Sequence, residues 1–305
     1  MNRSFSLTAL TAVFIAFLVA VPVQAEPGFY VSGELGMNFG ESLDSTGVDN
    51  DRGSVCDEYL NPGYRMIASC TEPRTGGDAW SNSFGSDEGI LFGAAIGYRF
   101  KDSRFRVELE YFYRDTGYEE TSTIDFGADP QTVEKINNEL LAVAERIDSL
   151  ISHNLFANLY MDFANDSKFT PYVGVGVGFG FTDMDFGLVA QRRLDPNTIF
   201  TVPDTLPDVR SRLAGTATIS DKELDDTLFG YQVMAGVDYA LTESLLLGVK
   251  GRWVSFGSFK DGSDYNSLRS HPSNLRLDGS EPVEYKFRVD DIEMFGVSMN
   301  LKYLF

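Results

Sequence analysis

The chain closes on Phe295-Gly-Val-Ser-Met-Asn-Leu-Lys-Tyr-Leu-Phe305, and the reading of this run decides the fold. Phe295, Val297, Met299, Leu301, Tyr303 and Phe305 alternate with Gly296, Ser298, Asn300, Lys302 and Leu304. A period of two puts the large apolar side chains on one face of a strand and the small or polar ones on the other. Eleven residues, the length of this run, also suffice for a tilted strand to cross the hydrocarbon of a bilayer. A half-buried strand of a soluble sheet alternates in the same way, so the weight falls on repetition.

The alternation recurs. Further strands are read over Phe29–Phe39, Ile90–Phe100, Phe105–Arg114, about Asn154–Phe163, Phe169–Phe181, about Leu228–Leu241 and Leu245 to about Phe256, eight in all with the last. Three connections are a few residues long, at 101–104, around 165–167 and at 242–244; the four alternating with them, about 41–88, 115–152, 182–226 and 259–290, are long. Short turns at one end and long loops at the other are the habit of membrane barrels. A compact soluble domain rarely carries several long structureless connections. The fold class that follows is all-β: an eight-stranded antiparallel, up-and-down transmembrane β-barrel with long extracellular loops, spanning 26–305.

Residues 1–25 read as an export signal: Arg3 gives the positive start, Leu7–Val21 the apolar core, and Val23-Gln24-Ala25 a small-residue cleavage site. No Cys follows that site, which excludes a lipid-modified N-terminus. Glycine and aromatics are abundant (Gly 29, Tyr 14, Phe 24), as strands and interfacial girdles of barrels require. The net charge of −20 excludes nucleic acid as a partner and disfavours docking on anionic lipid without divalent ions. These readings place the chain in the outer membrane of a Gram-negative cell, as a monomer with both termini periplasmic. Its expected partners are outer-membrane lipid and the barrel-insertion machinery, because the terminal Tyr303 and Phe305 on an alternating strand resemble the assembly signal which that machinery reads.

Within the loops, Pro130 and the apolar spacing of Val133, Ile136, Leu140, Leu141, Val143, Ala144 and Ile147 predict a helix over 129–150. Tyr285–Val289 is expected to lengthen the last strand above the bilayer, and 197–202 and 216–220 have enough β character to leave extra strands open.

Asn154-Leu-Phe-Ala-Asn-Leu-Tyr-Met-Asp-Phe163, followed by Thr170-Pro-Tyr-Val-Gly-Val-Gly-Val-Gly178, resembles the strand–turn–strand of opacity-type and bacterial surface-antigen barrels. Tyr30-Val31-Ser32-Gly33 and the final Phe305 fit the same family. The resemblance covers the strands and leaves the long loops unmatched. It implies an eight-stranded barrel of OmpA and OmpX architecture on the cell surface, with roles in adhesion, host interaction, serum resistance or small-pore formation. It brings no catalytic residues.

Catalytic and metal motifs are sparse. The two histidines, His153 and His271, lack ligand spacing, and His153-Asn154-Leu155 lacks the serine of a lipid deacylase. The alternating Gly174-Val-Gly-Val-Gly178 reads as a strand with small inward residues, not a phosphate loop. No cofactor, metal or catalytic site is expected. The constellation that stands out is inward by parity: Glu34, Glu108, Glu110, Asp162 and Asp238 share the lumen with Arg99, Arg106, Lys250, Arg252 and Lys302. Enclosed charges must be paired, so a salt-bridged plug is expected, with Glu108 and Glu110 meeting Lys250 and Arg252 across the axis. A pore lined by the same charges is the alternative. The functional expectation is a surface protein whose loops mediate adhesion or host contact; a porin-like channel is the rival and a lipid-active enzyme a distant third.

Cys56 and Cys70 share the first long loop of an exported chain and are expected to be bridged. Mass spectrometry of unreduced peptides should find one linked species; two alkylatable thiols would refute the pairing.

Overall fold

The computed structural model describes residues 28–49, 63–68, 79–121, 125, 134, 137–200, 202–264 and 284–305. The expected export signal, Cys56, Cys70 and His271 lie outside these residues. Thirteen strands are present among the described residues: β1 Gly28–Gly40, β2 Leu43–Asp49, β3 Ala79–Phe84, β4 Ser86–Arg99, β5 Phe105–Tyr118, β6 Glu120–Thr121, β7 Leu140–Asp162, β8 Phe169–Arg192, β9 Ala217–Ala240, β10 Leu245–Phe256, β11 Phe259–Asp264, β12 Glu284–Asp290 and β13 Glu293–Leu304. Eight of them (β1, β4, β5, β7, β8, β9, β10 and β13) form one ring, every pair antiparallel, closed by β1 on β13 and by β5 on β7. Closure leaves no edge, and a hydrocarbon environment, which cannot satisfy an unpaired backbone group, demands that.

Alternation sorts the two faces. On β1 the outward row Phe29, Val31, Leu35, Met37 and Phe39 is exposed. Ten steps of about 3.3 Å, tilted by about 40°, make an apolar band of roughly 25 Å, a bilayer's worth. On β13 the same row is Phe295, Val297, Met299, Leu301 and Tyr303. Above the band the outward row turns acidic, as at Asp183 and Asp185 on β8 and Asp225 and Glu223 on β9.

Three strands do not stop there. β7 has 23 residues and β8 and β9 have 24 each, roughly 80 Å of chain at ordinary strand rise, so their outer halves stand clear of the membrane. Facing them is a second antiparallel sheet, β3-β2-β12-β11. One side meets β9: Asp261 Oδ2 accepts from the Asp225 amide at 2.9 Å, and Asp226 Oδ2 from the Lys260 amide at 2.9 Å. The other side returns through β3 and β6 to β7. The result is an extracellular body with its own packed interior, in which Trp80, Ile147, Phe186, Tyr285 and Phe287 are buried. The β8–β9 tip adds a small core of Ile199, Val202, Val209 and Leu213 around the helix Pro207–Leu213.

Two expectations for the loops are corrected here, and the question left open over 182–226 is answered for its described residues. The run 129–150 is not one helix: helical backbone is described only at Glu134, Asn137 and Asn138, and β7 starts at Leu140. Irregular register between Leu140 and Ala142 and between Ile147 and Leu150 breaks the period of two, and the apolar residues read as one helical face are divided, with Leu140 and Ile147 buried and Leu141 exposed. Tyr285–Val289 does not lengthen the last strand. Asp291, at φ 51°, turns the chain between β12 and β13, and β12 pairs with β2 and β11 instead. The 182–226 segment adds no strands among its described residues; β8 and β9 themselves grow into it, and Asn197 falls in a short 3-10 turn.

Glu145 is buried above the membrane, accepting from Trp80 Nε1 at 2.5 Å and Asn82 Nδ2 at 3.1 Å. It ties β7 to the second sheet. Burial pushes its carboxyl above the ordinary range, only partly opposed by these two bonds. A raised acid favours the folded state most at low pH and loses that contribution as pH rises through the folded value. Glu145→Gln should therefore slow proteolysis of the extracellular body at neutral pH, with the advantage shrinking in acid. An equal effect at both pH values would contradict the assignment.

The Phe305 amide donates to Phe29 O at 3.0 Å, and its ring meets Tyr303 edge-to-face at 5.2 Å. Deleting Phe305 is expected to lower the membrane-inserted fraction, read as heat-modifiable mobility on gels; unchanged insertion would count against an assembly role for it.

Candidate functional site

The inward row at mid-barrel holds the ten charges named above, and their order up the strands divides them into two layers. The lower layer has three cations and three carboxylates. Arg106 Nε lies 3.0 Å from Asp162 Oδ1, with Arg99 3.7 Å from the other oxygen. Lys302 Nζ donates to both oxygens of Asp238 at 2.7 and 2.6 Å. Glu108 accepts from two hydroxyls instead of a cation, Tyr30 at 2.8 Å and Tyr160 at 3.1 Å. The Arg106 guanidinium lies over the rings of Tyr160 and Tyr172, 4.3 and 4.6 Å from their centroids. Room for these rings comes from glycine: a Cβ at Gly97 would strike Tyr30, and one at Gly174 would strike Tyr160.

The upper layer has two of each sign. Glu110 Oε1 accepts from Lys250 Nζ at 2.5 Å and Arg252 Nη2 at 2.8 Å, while Oε2 accepts from Asn158 at 2.8 Å and Gln232 at 3.0 Å. Glu34 takes the same two cations, Lys250 at 2.8 Å and Arg252, and a bond from Ser298 at 2.9 Å. Glu110 thus meets Lys250 and Arg252 across the barrel. Glu108 does not: two residues lower on β5, about 7 Å away along the strand, it turns to the tyrosines.

Above the ionic layers the filling becomes apolar. Leu91, Phe112, Phe156, Phe256 and Met294 are buried and continuous with the core of the extracellular body. Arg114 sits among them, fully buried on the inward row of β5. Parity marked it as inward, but five acids balanced against five bases left it out of the network.

On the outer face, Tyr111 OH and His153 Nδ1 are 2.8 Å apart, with Tyr113 edge-on to the same imidazole at 5.3 Å. His153 is thus part of an aromatic girdle at the outer rim, where amphipathic rings settle. Among the described residues no His, Cys, Asp and Glu group is arranged to hold a metal ion.

A closed antiparallel barrel with an apolar outer band, filled interior and short turns at the end that holds both termini defines an integral outer-membrane β-barrel. The chain belongs to the outer membrane protein beta-barrel domain family, whose model matches residues 7–278. An uncharacterized protein of Brucella abortus is 24% identical over 286 residues, covering 89% of this chain and 84% of its own. Outer membrane protein PagN of Salmonella typhimurium is 22% identical over 259 residues, covering 81% of this chain and 82% of its own. Among solved structures, OprG of Pseudomonas aeruginosa is similar at 14% identity and a TM-score of 0.46, over 93% of this chain and 100% of that one. The resemblance read from the strands holds at the level of eight-stranded outer-membrane barrels.

The two layers give unequal expectations for two glutamates one step apart. Glu110→Gln leaves Lys250 and Arg252 with Glu34 alone and should cost about 3–5 kcal/mol. Glu108→Gln removes a charge held by hydroxyls and should cost about 1–2 kcal/mol. Urea unfolding in detergent measures both; equal losses would show that the layers are not distinct. In planar bilayers the native chain should conduct little, and Glu110→Gln more; large native channels insensitive to the substitution would favour a pore.

Proposed function

We propose that this protein is a sealed, non-enzymatic, monomeric barrel that carries an extracellular interaction surface, and that adhesion or contact with another surface is mediated by the strand extensions and their loops. The observation that carries the reading is the packed extracellular body. A protein whose only task was to cross the membrane has no use for strands of 23–24 residues closed by a second sheet around Trp80, Phe186 and Phe287. A rigid body standing off the membrane suits recognition, since function is carried disproportionately on loops held by a rigid scaffold. The rival, conduction of small solutes, has less support. Two layers of paired charge and an apolar section stand in series along the same lumen, and an eight-stranded interior is only wide enough for side chains to fill.

Electrostatics narrow the partner. The lumen and the short turns are nearly neutral, so the net charge of −20 is carried almost wholly on the extracellular side. Such a body attracts basic surfaces and repels acidic ones at long range. The expected partner therefore presents lysine and arginine, and its capture should weaken with salt on the scale of the Debye length.

The test is display of the protein on cells that lack it, beside a variant in which the outward acids Asp183, Asp185, Glu223 and Asp225 are replaced by their amides. The variant should still show heat-modifiable mobility, while attachment of cells to a surface coated with a basic protein falls. Attachment that survives both the substitutions and 0.5 M salt would contradict the reading.

A further inference from the structure

The lumen charges do not balance. Among the described residues, Glu34, Glu108, Glu110, Asp162 and Asp238 face six cations once Arg114 is included with Arg99, Arg106, Lys250, Arg252 and Lys302. The first ten are shared out between the two layers, so the surplus positive charge belongs to Arg114. This side chain is 0% exposed, and Nε, Nη1 and Nη2 all lack an acceptor among the described residues. One face of the guanidinium is covered by Phe256, 5.0 Å from centroid to carbon. The Phe256 ring is seated against Gly180 and Gly230, where a Cβ would collide with it. Across the ladder, Arg114 is flanked by Leu91 and Ser152. The Ser152 hydroxyl is already engaged with Asn154 Oδ1 and Thr182 Oγ1, each at 3.0 Å. Higher on the same row, the buried Tyr118 hydroxyl also lacks a partner.

A guanidinium cannot shed its proton inside a protein. Five N–H donors and a full charge therefore remain in an apolar section of the barrel, and this is costly unless something negative joins them. Water can supply acceptors but not charge.

We propose that Arg114 is the centre of a buried site for one small monovalent anion, of halide or nitrate size. The anion neutralises the surplus charge and accepts the orphaned guanidinium donors. The apolar walls of Leu91 and Phe256 restrict the site to compact ions and exclude organic acids.

The test compares urea unfolding of the full barrel, refolded in detergent, in sodium chloride and in sodium gluconate at one ionic strength. If one chloride binds the folded state, the folded-to-unfolded ratio should rise about tenfold for each tenfold increase in chloride above the dissociation constant. Gluconate should have no such effect. Arg114→Met should remove the chloride dependence while leaving any general salt response. A native chain indifferent to chloride, or a variant that keeps the dependence, would overturn the site. Should the variant fail to fold, crystals of the native chain grown in bromide decide the matter. An anomalous peak within hydrogen-bond reach of the Arg114 guanidinium supports the proposal, and its absence overturns it.

Discussion

Closure of the ladder between the first strand and the last is the constraint on which everything else rests. Tyr30 to Gly40 pairs with Met294 to Leu304 without a register break. In hydrocarbon an open edge costs several kcal/mol for each unpaired backbone group. Once the ring is shut at eight strands, its interior is fixed at a width that side chains can span. Every residue of the inward rows then has to find a partner inside that cylinder, and the lumen chemistry follows from this geometry.

The filling changes character along the axis. At mid-barrel, cations and carboxylates meet in two balanced layers, with tyrosine rings and hydroxyls taking up the remaining surface of Arg106 and Glu108. Farther out the same rows carry Leu91, Phe112, Phe156 and Phe256, and the core runs without interruption into the body above the membrane. The barrel and its extracellular extension are one packed structure. This continuity is what lets strands β7, β8 and β9 leave the bilayer without fraying. Within the core, Phe256 packs edge-to-face on Phe156 and fills the space left by the inward glycines Gly180 and Gly230 of β8 and β9.

Much of the membrane-embedded part was legible in the sequence, because a strand between lipid and a crowded lumen has to alternate strictly. Parity alone told which side chains of Phe29–Phe39 or Phe105–Arg114 face inward. Above the membrane that rule relaxes. The bulge after Ile147 shifts the parity of β7, and a second register break between Leu140 and Ala142 interrupts the period of two, so the apolar residues between them do not alternate as a strand's would. β12 escaped recognition because its partner is decided by Asp291, a single residue in a left-handed conformation. Which carboxylate meets which cation was only partly accessible. Glu108 and Glu110 have the same parity, and only the height of Tyr160 on the adjacent β7 and of Tyr30 on β1, one strand beyond β4, separates their environments. Arg114 lay on a row already read as inward, but a balanced tally concealed it.

The central claim is that the barrel continues, packed and hydrogen-bonded, well beyond the membrane. Amide hydrogen exchange on the folded protein in detergent tests it most directly. The amides of Met184 to Ala190 on β8 and of Thr218 to Asp226 on β9 belong to the β8–β9 ladder above the bilayer. They should be protected to within a small factor of those of Val173 to Phe181, which lie inside it. Exchange of the outer amides at the rate of an unstructured loop, with protection confined to the membrane band, would contradict the account.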